Sequence, residues 1–234
     1  MPALARLIDR LRGRASTRRA LVVFDLDSTL FSTQERNFAI LQEFAARDQA
    51  PSSLRIVLER LGPRDMGWNV MDDLKRNGFG DRGVLRELRH FWLERFFTSD
   101  YLRHDVPLPG AVDFVKDVHR AGATVFYLTG RDEPGMGTGT RASLQRHGFP
   151  LDLERVIVRL KPRFEDSDLV FKRGVVDELQ GIGDVLGVFE NEPVNANLFA
   201  EAFPDADVWL LETVHSPDPP PLANRVARIR DFRR

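Results

Sequence analysis

Two carboxylates stand two positions apart at the end of an apolar run: in VFDLDSTL, residues 23–30, Asp25 and Asp27 follow directly on ALVVF. In an extended backbone, residues i and i+2 project to the same side, so the pair faces one site. A carboxylate there can attack an electrophile while its neighbour gives and takes the proton. Taken alone, such a pair also serves as a helix cap or a turn former. The chain has no cysteine, which excludes thiolate nucleophiles, disulfides and thiolate metal sites and leaves oxygen and nitrogen ligands.

The elements that must hold these acids are legible as five short apolar runs at 20–27, 123–130, 155–160, 185–191 and 206–213. Segments of helical spacing, such as Val112, Phe114, Val115 and Val118, alternate with them. Such alternation predicts an α/β fold, a Rossmann-like parallel sheet with helices on both faces. Ligands in such folds bind at the carboxyl ends of the strands, where Asp25, Asp27, Thr129 and Glu190 fall.

Between the first two runs, residues 35–47, 52–61, 68–77 and 82–97 read as helices separated by Pro51, Gly62-Pro63 and Gly78-Phe79-Gly80. The expected organisation is a basic N-terminal segment, 1–19, then a core formed by 20–33 and 106–234, with an all-α cap, 34–105, inserted in it. The turn Val106–Gly110 returns the chain to the core, and SPDPPP, 216–221, is a stiff connector before a short basic tail.

VFDLDSTL resembles the Asp-x-Asp-x-Thr signature of the haloacid dehalogenase superfamily. Three further segments follow in that family's order: FYLTGR with Thr129, LVFKRGVV with Lys172 just before an expected helix, and the acidic VFENEPVN with Glu190. The resemblance spans residues 25–192 and implies a Rossmann-like core, a helical cap after the first motif and a Mg²⁺-dependent phosphatase acting through a phospho-aspartate. It implies Asp25 as nucleophile and Asp27 as acid and base. Thr129 and Lys172 would bind the phosphoryl group, and Arg131 is a third candidate for it. The metal would take Asp25, the main-chain carbonyl of Asp27 and an acidic-motif residue. The family usually has Asp where Glu190 stands, often with a second Asp at the position of Asn191, so Glu190, Asn191 and Glu192 are all candidates for that ligand.

The chemistry makes sense of the set. Phosphate monoester hydrolysis requires up to about 10²¹-fold acceleration, more than one residue supplies. Two acids facing a phosphate repel it unless cations intervene, which is the use of Mg²⁺ and of a lysine ammonium. Only four of the 34 cations are lysines, so Lys172 stands out, with Lys161 as the competing candidate. A phosphoryl transferase or mutase of the same fold, and a non-catalytic phospholigand-binding regulatory module, are the alternative readings.

Charge and composition narrow the partners. The chain carries a net charge of −1, yet residues 1–19 hold six Arg against Asp9. A nucleic-acid arm, a transit peptide and an amphipathic helix with a solvated face all fit that end, and the last is the expectation. The acidic remainder argues against nucleic acid as partner, and the resemblance implies a small phosphorylated substrate instead. No run reaches the roughly 18–20 apolar residues of a membrane span, and a cytoplasmic location is the default expectation. The sequence sets no oligomeric state. GRDEPGMGTGT, 130–140, reads as a mobile surface loop, Met66, Trp68 and Met71 as cap core or substrate contacts, and His215 as a loop residue.

Overall fold

The structure, a computed structural model, describes residues 3–233; Met1, Pro2 and Arg234, the outermost positions of the expected N-terminal segment and core, lie outside them. The chain begins with α1 (Ala3–Arg12), followed by β1 (Arg19–Phe24) and β2 (Phe31–Ser32). Helices α2 (Gln34–Ala45), α3 (Ser52–Leu58), α4 (Val70–Arg76) and α5 (Arg82–Phe96) come next, and two 3-10 turns, Pro63–Asp65 and Ser99–His104, complete this helical insertion. Then come β3 (Val106–Pro107), α6 (Ala111–Arg120), β4 (Thr124–Asp132), α7 (Glu133–Arg146), β5 (Val156–Lys161), α8 (Asp168–Gly174) and α9 (Val176–Ile182). The chain closes with β6 (Gly183–Glu190), α10 (Pro193–Ala202), β7 (Asp207–Leu211) and β8 (Ala227–Ile229).

Six strands form a parallel sheet in the order β5-β4-β1-β6-β7-β8. Its central strands are buried on both faces, which is why they read as continuous apolar runs rather than alternating ones. Val22, Phe24, Val125 and Tyr127 enter the core shared with α1 and α6, whereas Leu21, Val23, Phe126 and Leu128 enter the core shared with α9 and α10. The insertion has its own core, in which Leu41, Phe44, Leu54, Leu74 and Leu88 surround the buried Met66 and Met71. β2 and β3, where the chain leaves for the insertion and comes back, pair antiparallel with each other.

The basic N-terminus is an amphipathic helix seated on the core, with Leu4, Leu7, Ile8 and Leu11 buried. Its cations answer acids at the amino ends of the strands. Arg14 and Arg18 pair with Asp184, and Arg10 with Asp207, so part of the uneven charge of the sequence is answered across the fold. Among the described residues no helix is long and apolar enough to cross a membrane.

Two expectations are corrected. The glycine-rich stretch 130–140 is no loop: it is the end of β4 and the start of α7, capped by Asp132, whose side chain accepts the N–H of Gly135 at 2.7 Å. Glycine serves close approach here, since a Cβ at Gly139 would lie 2.5 Å from the main-chain oxygen of Ser99. The basic tail contains β8, an edge strand whose Arg228 and the following Arg230 face Glu212. Charged residues on an edge strand block further pairing but hide it from a hydrophobicity pattern.

Candidate active site

β1 ends in a rung to β6, the N–H of Asp25 donating to the carbonyl of Phe189 at 3.0 Å. Beyond it the carbonyl of Leu26 accepts N–H groups from Thr29, Leu30 and Phe31, with Ser28 left-handed at φ 57°. This tight turn takes the chain off the sheet and leaves Asp25 and Asp27 on the wall of a cleft of about 960 Å³ between sheet and insertion. Thr129 from β4, Lys172 from α8 and Glu190 from the end of β6 line the same cleft. Lys172 lies in the last turn of α8, four residues before α9 begins.

The Lys172 ammonium donates to Asp25 Oδ1 at 2.8 Å and to Glu190 Oε2 at 2.6 Å. All three side chains are buried. Glu190 Oε1 accepts the main-chain N–H groups of Asn191 and Glu192 at 3.0 and 3.1 Å. Two carboxylates thus share one ammonium away from water. Burial, and after it the charge of Glu190, pushes Asp25 up to about 7 against the pull of Lys172. Burial would lower Lys172, but Asp25 and Glu190 overcome it and hold the ammonium above the ordinary lysine range. Thr129, fully buried, accepts the N–H of Arg131 on its hydroxyl at 3.2 Å.

Asp27 belongs to a second cluster. Arg131 donates from Nε to Asp27 Oδ2 at 2.9 Å and from Nη2 to Oδ1 at 2.7 Å, and Arg36 donates to Oδ1 at 2.7 Å. The same two guanidiniums hold the wholly buried Asp105, at 2.6 Å from Arg131 and 2.8 Å from Arg36. Burial would raise Asp27, yet Arg131 and then Arg36 outweigh it and keep the carboxyl well below the usual range. Arg131, expected at the phosphate, is directed at Asp27 and Asp105 instead. Arg36 and Asp105 were not expected at the site at all. The available signal was a buried-capable charge just inside each end of the inserted segment.

Of the acidic segment, Glu190 alone turns its carboxylate toward Asp25 and Lys172. Asn191 has its amide committed, accepting from Thr29 at 3.2 Å and donating to the carbonyl of Val214 at 2.7 Å. Glu192 accepts from the N–H and hydroxyl of Ser216 at 2.9 and 2.6 Å, next to His215 in the same loop. Lys161 ends β5 and pairs with Asp168 at 2.8 Å. The excess of negative charge and the oxygen donors of Asp25 and Glu190 fit a hard divalent cation, which takes one or two carboxylates and completes its shell with water and phosphate. Among the described residues no cluster of three His, Cys, Asp or Glu side chains forms a ready-made all-protein cage.

No family model matches the sequence, and no curated protein matches it either. Solved structures do. A haloacid dehalogenase superfamily hydrolase, subfamily IA, variant 1, from Geobacter sulfurreducens is 16% identical at a TM-score of 0.53, over 94% of this chain and 95% of that one. CbbY from Rhodobacter sphaeroides, in complex with phosphate, is 17% identical at 0.50, over 92% and 95%. Protein tyrosine kinase A of Mycobacterium tuberculosis is 14% identical at 0.50, over 92% and 94%. The likeness covers nearly the whole of each chain and shows the fold, which proteins of different activity share.

Proposed function

We propose that this chain, which has the haloacid dehalogenase-like fold, is a Mg²⁺-dependent phosphatase that hydrolyses a small phosphate monoester through a phospho-aspartate at Asp25. The observation that carries the reading is the convergence of Asp25, Thr129, Lys172 and Glu190, from four separate segments, on one cleft at the carboxyl ends of the strands. Residues 34–105 then act as a cap over that cleft.

In the first half of the reaction a carboxylate oxygen of Asp25 forms a bond to phosphorus while the ester P–O bond breaks; the electron pair leaves with the ester oxygen, which takes the proton that Asp27 brings and regains from water in the second half. The Thr129 hydroxyl and the Lys172 ammonium face the phosphoryl oxygens and stabilise the charge that builds there. Mg²⁺, held by Asp25, Glu190 and the main-chain carbonyl of Asp27, would supply further positive charge against the phosphate and the two acids. In the second half Asp27 takes a proton from water, whose oxygen attacks phosphorus; the P–O bond to Asp25 breaks and phosphate departs. Asp27 already stands as the carboxylate this half needs. Before it can carry a proton to a leaving group, one of its arginine contacts has to yield.

The test is release of phosphate from p-nitrophenyl phosphate with and without Mg²⁺, for the wild type and Asp25→Asn, in heavy-oxygen water. Metal-dependent turnover that puts label into phosphate and is lost in the variant supports the reading. Equal activity in Asp25→Asn removes the phospho-aspartate. Phosphate binding with no turnover favours a non-catalytic module, and delivery of the phosphoryl group to an added alcohol in place of water favours a transferase.

A further inference from the structure

We infer that the cleft holds a second anion subsite formed by Arg82, Arg86 and Arg89 of α5, and that the substrate is an elongated phosphate ester with a carboxylate or phosphate at its far end and a flat apolar segment between. The inference rests on the phosphatase reading for which end reacts, but the subsite itself is a matter of binding.

One face of α5 lines the cleft along its whole length, and it is divided. Its amino-terminal half presents Arg82, Arg86 and Arg89 around the buried Leu85, and its carboxyl-terminal half presents Trp92, Leu93 and Phe96. The aromatic end adjoins the reaction centre: Arg36, which holds Asp27, lies over the Phe96 ring at 4.5 Å and donates to the Phe96 carbonyl at 3.2 Å. With a rise of 1.5 Å per residue, Arg89 is about 10 Å further along the axis than Phe96, and Arg82 about 10 Å beyond that. A ligand whose phosphate is at Asp25 would therefore pass the rings before it met the guanidiniums.

The three arginines are unanswered. Among the described residues none of these exposed side chains has a hydrogen bond or an ion pair, although Arg82 and Arg86 stand at helical i, i+4 spacing, where like charges destabilise each other. The acids of the cleft are occupied elsewhere: Asp25 and Glu190 with Lys172, Asp27 with Arg36 and Arg131, Asp168 with Lys161, Glu192 with Ser216. Asp81, at the head of α5, caps Gly83 and Val84, and Lys75 of α4 pairs with Asp72. A row of guanidiniums with free forks suits carboxylate or phosphate oxygens. Trp68, which lines the same cleft, is 55% exposed, a large apolar ring left open as a stacking surface for the middle of the ligand.

The experiment measures binding by calorimetry in the presence of Mg²⁺, with hydrolysis-resistant probes: biphenyl-4-ylmethylphosphonate and its derivatives carrying a 4′-carboxylate or a 4′-phosphonate. Both charged probes should bind the wild type about tenfold more tightly than the parent, the order expected of charge-assisted hydrogen bonds. The better of the two identifies the far-end group. That gain should vanish in Arg82→Ala/Arg86→Ala/Arg89→Ala, persist in part in the triple lysine variant and, for the wild type, shrink with added salt. Equal affinity for charged and parent probes, or a gain that survives the alanine substitutions or high salt, overturns the subsite. Should the expected gain be found in a protein that releases no phosphate from p-nitrophenyl phosphate, the subsite stands and the phosphatase reading falls.

Discussion

Arg36 and Asp27 lie nine residues apart on opposite sides of the crossing between the sheet and the helical insertion, and they meet at 2.7 Å. Arg36 is wholly buried and grips Asp105 as well, so a single guanidinium ties Asp27 to both ends of the inserted segment. Removing it would leave two carboxylates facing Arg131 alone.

Arg36→Ala should therefore lower the stability of the chain by about 3–5 kcal/mol, as breaking a buried ion pair does. Urea unfolding measures this directly. A loss under about 1 kcal/mol would fall in the range of exposed pairs and show that the cluster does not bind the insertion to the sheet.

The raised Asp25 carboxyl gives a pH dependence with a definite sign. Between about pH 4, near its ordinary value, and about pH 7 the folded chain retains a proton that the unfolded chain has lost. Stability of the metal-free protein should then fall as pH rises through that window. Asp25→Asn should flatten the decline, because Glu190 then has Lys172 to itself. Thermal melts across pH 4 to 8 for both proteins check it; parallel profiles would contradict the origin assigned to the shift.

Glu190→Gln keeps the reach of the side chain and its acceptor oxygen but removes its charge. If Glu190 holds the cation, the Mg²⁺ concentration that half-saturates the wild type's thermal stabilisation should rise for the variant, and the half-activating concentration should rise with it. Without metal the variant should be no less stable, since Lys172 retains Asp25. Glu192→Ala should leave the metal dependence alone and loosen only the loop at Ser216. The reverse pattern would move the metal from Glu190 to Glu192.

Gly139→Ala separates helix propensity from packing. In an isolated helix this change gains about 1 kcal/mol. Here the new Cβ would meet the Ser99 carbonyl, and overpacking of this kind costs about 1–3 kcal/mol. Urea unfolding should show a net loss of stability; a gain would mean that α7 does not need glycine to approach the insertion.

What the sequence determined by itself was what is repeated or local. The apolar runs gave the parallel sheet because a strand covered on both faces must be apolar throughout, and the Pro and Gly breaks gave the helices of the insertion because those residues interrupt backbone hydrogen bonding. The positions of Asp25 and Glu190 at strand ends, and of Thr129 in the carboxyl-terminal half of β4, followed from the same pattern. Tertiary structure decided which charge meets which. Arg131 and Arg36 reach Asp27 across 104 and nine residues, Asn191 spends its amide on Thr29 and Val214, and the glycines of 130–140 serve a helix because Ser99 packs against it. Pairings of this kind depend on distances that only the folded chain sets, and an arginine reads the same in sequence whether it faces a phosphate, a carboxylate or water.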